Sequence, residues 1–451
     1  MNVIVVGAGK VGRVLTEYLL EEGHDLVIVD SNIEVVEDMM NSYDVNAIHG
    51  NGASYEVLKQ AQAEQADVLI AMTESDEINI LSCLVAKKIG IPETVARVRN
   101  PEYATQHNFL IDDLGLGLIV NPEYEAAKEI SRMLKYPSAT RVDFFANEQV
   151  EIVEITLNDA SSLIGNSLSQ IRTQFGIRFL VSAVERNGAI FIPSGDFILE
   201  ENDKICITGA PNDIDSLFRK LNILKNRARN VMVVGGGKIS YYLGIQLLEQ
   251  NTNLKIVEVD KNRCNELAKE LPKATIILGD GSTQEILLEE NIEKMDALVT
   301  LTGFDEENIV ISLFAKTLNI PKIITKVNRY VYTNIFETIG IGSIISPKLT
   351  TANLVIRYIR SLSNSYSRVN ALYKLINSRI EATEFFITRE TVYTGVKIKN
   401  LKFRPNVLVA CIIRNKNVIL PGGEDMMLPN DTVIIISTQE HLKDIKEALV
   451  K

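Results

Sequence analysis

The stretch VIVVGAGKVG at residues 3–12 runs from consecutive β-branched residues into Gly7, Gly9 and Gly12, spaced as G-x-G-x-x-G. Such a turn has a mechanical logic. The first glycine lets the chain leave a strand tightly, the second leaves room for a pyrophosphate, and the third lets the following helix pack closely on the strand. The helix start then offers unpaired N–H groups and a partial positive charge to phosphates. Alone, the pattern also fits an ordinary strand-to-helix turn. Asp30 sharpens it, because it closes the apolar run LVIVD (26–30) 18 residues after Gly12, where a carboxylate would accept both ribose hydroxyls. The same carboxylate would repel a 2′-phosphate, which favours NAD over NADP.

Residues 232–240, MVVGGGKIS, write the turn a second time, with Gly235 and Gly237 in the first two places and Ser240 in the third. The repetition extends far beyond the turn. Gly7 and Gly235 are 228 apart, Asp30 and Asp260 are 230 apart, and Gly50/Gly279, Thr73/Thr302, Asn79/Asn308, Pro92/Pro321 and Arg97/Lys326 are each 229 apart. Further on, PSG (193–195) faces PGG (421–423) and END (201–203) faces PND (429–431). The chain is a tandem duplication.

Each repeat has two parts. In the first copy VIVVG (3–7), LVIVD (26–30), NAIHG (46–50), DVLIAMT (67–73), TVARVRN (94–100) and GLGLIVNP (115–122) read as strands separated by helical stretches. Short buried strands alternating with helices predict an α/β, doubly wound Rossmann-type domain. After a helical segment at 122–137 the period changes to two in EIVEITL, followed by the helix-like SLSQIRTQF and by runs flanking Asn187-Gly188, a strong hairpin signal. A small α+β module is expected there. The stretch 211–230 bridges the copies, and KNRARN (225–230) is its clearest boundary. The expected domains are 1–123, 138–222, 228–348 and 370–451.

Composition narrows the setting. At 451 residues the chain exceeds one core. Its 58 acidic and 47 basic side chains leave a net charge of -11 and no basic patch, which argues against nucleic acid as a partner. No apolar run approaches the roughly 18 to 20 residues that span a bilayer, and the N-terminus enters a strand without a signal peptide's regions, so a soluble, cytoplasmic chain is expected. Cys83, Cys206, Cys264 and Cys411 are far apart in apolar segments, which predicts buried free thiols and no metal site.

Other candidate positions fall at the carboxyl ends of strands, where ligands bind in such sheets. GNG (50–52, with Asn51) and GDG (279–281, with Asp280) follow the third strand, and Thr73-Glu74 and Thr302 follow the fourth. Arg97 and Arg99 point to one face and could form structural ion pairs or meet ligand phosphates. In the second copy IVEVD places Glu258 and Asp260 near the position of Asp30. A dehydrogenase would also need a proton donor or acceptor beside its substrate. His24, His49, His107 and His441 form no repeated pattern, and Leu278 stands where the first copy has His49, so no shared catalytic residue is expected. An NAD-dependent oxidoreductase of unknown substrate stays open as the alternative, as does a nucleotide sensor with another partner.

The order VIVVGAGKVG, Asp30, GNGAS, MTESDEINI and ARVRN, then a hairpin-rich module with LIGNSLSQI, all written twice, resembles the TrkA family of regulatory subunits of Trk potassium uptake systems. The likeness covers essentially the whole chain, as two RCK N-type nucleotide-binding domains each followed by an RCK C-type domain. It implies a cytoplasmic ring, a homotetramer or similar assembly, peripheral to the inner face of the cell membrane under a Trk-type potassium-translocating subunit. It also implies binding of NAD(H) and of ATP or ADP, without catalysis. The family's nucleotide residues fall on Gly7, Ala8, Gly9, Lys10, Val11, Asp30, Thr73, Glu74 and Arg97, and in the second copy on Gly235, Gly237, Lys238, Ile239, Asp260 and Asp280. Asn51 replaces an aspartate often found in the family, and Ser240 replaces a glycine.

Overall fold

Aliphatic runs too short for helices and flanked by turn residues become parallel strands in both copies. The computed structural model describes residues 1–104, 109–136, 139–146, 149–157, 162–221, 228–328, 342–362, 367–376, 379–438, 442 and 444–450. The first sheet holds β1 (Asn2–Val6), β2 (Asp25–Asp30), β3 (Asn46–His49), β4 (Val68–Ala71), β5 (Glu93–Arg97) and β6 (Leu118–Val120). Its order is β3-β2-β1-β4-β5-β6 with every pairing parallel, the Rossmann plan. The order reverses beside β1, so the crevice at the strands' carboxyl ends opens between β1 and β4.

The second sheet is antiparallel, with β7 (Ala139–Phe145), β8 (Val150–Thr156), β9 (Leu180–Arg186), β10 (Ala189–Phe191) and β11 (Lys204–Gly209) in the order β10-β9-β11-β8-β7. Its β9–β10 hairpin turns at Asn187 (φ 51°) and Gly188 (φ 77°), the left-handed pair that the sequence predicts.

The second copy repeats both sheets. Strands β12 (Asn230–Val234), β13 (Asn253–Glu258), β14 (Thr275–Leu278), β15 (Ala297–Thr300), β16 (Lys322–Lys326) and β17 (Ser343–Ile345) form a parallel sheet in the order β14-β13-β12-β15-β16-β17. Strands β18 (Ser367–Leu375), β19 (Ile380–Ile387), β20 (Val407–Arg414), β21 (Asn417–Ile419) and β22 (Thr432–Ser437) form the fourth sheet, β18-β19-β22-β20-β21. The bridge begins as a helix, Pro211–Lys220, whereas residues 225–227 of the expected boundary lie outside the described residues.

Contacts divide the chain into two compact units, Met1–Ala127 with Ser346–Ile359, and Lys128–Ile345 with Arg360–Lys451. In the first unit the segment from the second repeat meets the first sheet, where the Tyr358 hydroxyl donates to Glu93 Oε2 at 2.5 Å. In the second unit the two antiparallel sheets share a core, with Phe145, Val150, Ile152 and Cys206 against Ile380, Ala382, Cys411 and Ile436. The other face of the second sheet is covered too, by Ile171, Phe175, Leu217 and Phe218 of two helices.

This double coverage departs from the one-faced alternation that EIVEITL suggests. Glu151 and Glu154 are buried on β8, and each has polar partners. Glu151 accepts from Lys135 Nζ at 2.9 Å and from the Tyr136 hydroxyl at 2.5 Å. Glu154 accepts from the backbone N–H of Ile376, while Glu384 in the other module accepts from that of Ala146. The exchange is reciprocal, and both N–H groups belong to residues at positive φ, 43° for Ile376 and 50° for Ala146. A buried carboxylate thus satisfies a turn donor that no ladder could reach.

Candidate functional site

The first glycine turn is held by backbone geometry. Gly7 sits at φ +91°, and a Cβ there would lie 2.8 Å from the Thr73 nitrogen, so the turn at the end of β1 abuts the end of β4. A Cβ on Gly12 would lie 2.0 Å from the Gly7 carbonyl oxygen, which is the close helix-to-strand contact expected of the third glycine. Around Gly9, by contrast, a Cβ would meet nothing within 4 Å. The helix Lys10–Glu21 starts at Gly9 with no side-chain cap and no acid in its first turn. The neighbouring helix Ile33–Ser42 is capped by Asn32. The start behind Gly9 therefore keeps its donors and its positive end for an outside acceptor.

Asp30 closes the crevice on the β2 side. Its Oδ2 accepts from Ala8 N–H at 2.7 Å and its Oδ1 from Asn32 N–H at 2.9 Å. The carboxylate thereby shapes the glycine turn, and each oxygen retains a second lone pair. On the β4 side Thr73 is fixed by Asn79, a residue that the sequence marks only as a repeated position. Asn79 is fully buried; its Oδ1 accepts from Thr73 N–H (2.8 Å) and Thr73 Oγ1 (2.7 Å), and its Nδ2 donates to the carbonyls of Thr73 (3.2 Å) and Arg97 (2.9 Å). One amide thus ties β4 to β5 at the crevice. Only a group with both donor and acceptor can do this.

Arg97 reaches the Thr73 carbonyl at 3.4 Å and faces Glu123 at 3.7 Å. Burial pulls its guanidinium below the ordinary value, and Glu123 opposes that shift. Arg99 faces Asp76 at 3.7 Å and donates to the Glu74 carbonyl. Both arginines have ion-pair partners, and the side chain of Glu74 is exposed at the rim. Asn51 folds its own loop, with Oδ1 accepting from Ala53 N–H at 2.9 Å.

The second crevice repeats these devices with altered residues. Gly235 lies at φ +99°, a Cβ on Gly237 would meet nothing within 4 Å, and the helix Lys238–Glu249 again starts without a side-chain cap or first-turn acid. Lys238 and Ile239 open that helix. The Ser240 hydroxyl donates to the Gly235 carbonyl. Asn308 repeats Asn79, accepting from Thr302 N–H at 2.8 Å and donating to the Lys326 carbonyl at 3.1 Å. Asp280 repeats Asn51, accepting from the Ser282 N–H and hydroxyl, which hold its carboxyl below the ordinary value.

One equivalence drawn from the sequence needs correction. Asp260 is not the counterpart of Asp30; Glu258 is. Glu258 pairs with Leu278 as Asp30 pairs with His49, and Glu258 accepts from Gly236 N–H at 2.5 Å and Asp260 N–H at 2.8 Å as Asp30 does from Ala8 and Asn32. Asp260 instead caps the helix Lys261–Glu270, accepting from Arg263 N–H, which is the place of Asn32.

His24 precedes β2 at the amino ends of the first sheet's strands and His49 closes β3 at the carboxyl ends, whereas His107 and His441 lie outside the described residues. The four cysteines are buried free thiols. Among the described residues no group of His, Cys, Asp and Glu could hold a metal, and no helix is long and apolar enough to cross a membrane.

The TrkA-N domain matches residues 3–122 and 231–347, and the TrkA-C domain matches 152–222 and 382–450. The chain belongs to the TrkA family. It is 30% identical to the Trk system potassium uptake protein TrkA of Vibrio alginolyticus, over 99% of this chain and 98% of that one. It is 31% identical to TrkA homolog 1 of Methanosarcina mazei, over 99% of each. In fold it is similar to the GsuK RCK domain, with a TM-score of 0.63 at 16% identity, over 97% of this chain and 92% of that one. A GsuK channel bound to NAD gives 0.63 at 17% identity, over 97% and 77%. As a TrkA-family chain it carries both halves of the tandem, each with its own glycine turn.

Proposed function

We propose that the chain is the cytoplasmic nucleotide-binding regulatory subunit of a Trk-type potassium uptake system, coupling NAD(H) and ATP/ADP binding to potassium flux through a membrane subunit. The observation that carries this reading is the pair of uncapped helix starts behind Gly9 and Gly237. They occur in a chain similar over its whole length to TrkA proteins. The open space beside both glycines fits a pyrophosphate, and the N–H groups of residues 10–12 and 238–240 would hold it. Asp30 and Glu258 would accept from ribose hydroxyls through their remaining lone pairs. Thr73, Glu74 and Arg97 would line the first site, and Thr302, Asp280 and Lys326 the second. The four domains would run 1–123, 138–222, 228–348 and 370–451.

No bond is made or broken in this account. A nucleotide acts by its differential affinity for two shapes of a ring, which we take to be a homotetramer of the tandem chain at the inner face of the membrane. Moving a two-state equilibrium from 1:99 to 99:1 takes about 5.5 kcal/mol, and several identical sites on one ring could share it. Calorimetry with NAD+, NADH, ATP and ADP, alongside a turnover assay, tests the reading. Binding without turnover supports it, whereas steady nicotinamide turnover with a metabolite would move the chain to the oxidoreductases.

A further inference from the structure

The two crevices share a backbone but not a rim. Four strand ends border the second crevice in unbroken order: β14 ends at Leu278, β13 at Glu258 followed by Val259, β12 at the glycine turn, and β15 runs on to Phe304. Three of these rim side chains are large, apolar and exposed: Val259 at 69%, Leu278 at 55% and Phe304 at 71%. The hydrogen-bonding register identifies their counterparts in the first crevice. Leu278 pairs with Glu258 as His49 pairs with Asp30, Val259 follows Glu258 as Ser31 follows Asp30, and Phe304 precedes its helix as Ser75 does. The first rim is thus Ser31, His49 and Ser75, with Glu74 where the second has Gly303. Among the described residues its exposed apolar neighbours are Ile33 and Tyr55, which open the helices after β2 and β3, where the second crevice has Lys261 and Gln284.

A single exposed apolar side chain needs no reason, but three gathered on the rim of one crevice mark a binding surface. Their shared position supplies one. A nucleotide whose phosphates sit at the uncapped helix start behind Gly237, and whose ribose reaches Glu258, must lay its base beyond Glu258, over the ends of β13 and β14. Val259 and Leu278 stand there, and Phe304 stands on the other side of the glycine turn, beyond the end of β15.

We propose that Val259, Leu278 and Phe304 are the base-binding wall of the second site, specifying an adenine nucleotide by apolar and aromatic contact with the ring. The first site, with Ser31, His49 and Ser75 at the three matching positions, depends instead on contacts along the whole dinucleotide. The inference rests on the proposed nucleotide binding and adds a division of labour: ADP, which lacks the second nucleoside, keeps its affinity at the second site and loses it at the first.

The chain contains no tryptophan, so one introduced residue reports on one site. Full-length Phe304→Trp retains an aromatic wall and reads the second site, and Tyr55→Trp, which exchanges one exposed aromatic beside the first crevice for another, reads the first. Titrated separately with ADP and NAD+, Phe304→Trp emission should respond to both ligands at similar concentrations. Tyr55→Trp should respond to NAD+ at concentrations at least about tenfold below ADP. Adding Val259→Ser and Leu278→His to Phe304→Trp should weaken ADP about tenfold, the scale of losing apolar contact with a ligand, and the same pair added to Tyr55→Trp should leave that titration unchanged. Unchanged ADP affinity in that variant overturns the proposal. So does a change in sedimentation with unaltered ADP affinity, which would assign the rim to contact between copies. If neither reporter responds and calorimetry of the unmodified chain shows no heat, nucleotide binding itself fails, an outcome distinct from failure of the wall.

Discussion

The Ser240 hydroxyl donates to the carbonyl oxygen of Gly235 across the start of the second glycine turn. In the first copy the corresponding space belongs to the bare Gly12, whose added Cβ would come 2.0 Å from the Gly7 carbonyl oxygen. The second turn therefore keeps its shape by a hydrogen bond where the first keeps it by direct backbone packing. Ser240→Ala should lower stability by about 1 kcal/mol, the net value of one buried hydrogen bond. Gly12→Ala should cost about 1 to 3 kcal/mol, because the helix must move off its strand. Thermal unfolding of the two variants checks the order, and a Gly12→Ala chain as stable as the unmodified one would contradict the geometry.

Asn79 and Asn308 hold the β4 and β15 ends of the two crevices through an amide that accepts at one end and donates at the other. Asn79→Asp keeps the shape but turns an acceptor toward the carbonyls of Thr73 and Arg97. A loss of about 2 to 3 kcal/mol is expected, the range for leaving buried backbone groups unpaired. Denaturation midpoints measure it, and Asn308→Asp should behave alike in the second copy.

The corrected equivalence of Glu258 and Asp30 separates two acids that lie two residues apart. Asp30→Ala and Glu258→Ala should each weaken nucleotide binding at their own site by about 1 to 3 kcal/mol, as for lost charge-assisted hydrogen bonds. Asp260→Ala should leave affinity nearly unchanged and cost about 1 kcal/mol of stability, the value of a helix cap. Calorimetry and thermal unfolding on the same three proteins distinguish these effects.

Lys322 is buried at the start of β16, where its Nζ donates to the Ala139 carbonyl at 2.5 Å and to Ser343 Oγ at 2.9 Å. Burial among neutral acceptors pushes its ammonium down to about 7. Above that pH the folded chain holds a neutral amine while the unfolded chain stays protonated up to about 10.5, so the unfolded state binds more protons. Stability contributed by this group therefore rises with pH between those values and is least below pH 7. Lys322→Met should remove that rise: the variant's melting temperature minus that of the unmodified chain should fall from pH 7 to pH 9. A difference that does not change with pH would contradict the assignment.

Much of this architecture is legible in the sequence, for identifiable reasons. Parallel strands buried on both sides need unbroken aliphatic runs, and VIVVG and LVIVD can be little else. Asn187-Gly188 announces its hairpin because two left-handed residues in succession are costly for other pairs. β7, by contrast, follows directly on a helix and carries Thr140, Arg141 and Asp143, which hide its period. The face-to-face packing of the antiparallel sheets is hidden for a related reason. Glu151 and Glu154 lie on opposite faces of β8, and each reads as a solvated position until its partners, Lys135 and Tyr136 for one and Ile376 for the other, are seen. The counterpart of Asp30 is hidden because two similar acids, Glu258 and Asp260, flank one strand end. Only the ladder, which pairs Glu258 with Leu278, decides between them.

In the proposed function, nucleotide occupancy of this chain sets potassium flux. Its most direct test is flux through a reconstituted Trk membrane subunit, with and without this protein, varying ATP, ADP, NAD+ and NADH one at a time. The account predicts flux that requires the protein, changes with at least one nucleotide, and loses that response in Asp30→Ala or Glu258→Ala. Flux indifferent to nucleotide, in the presence of protein shown by calorimetry to bind it, would contradict the account.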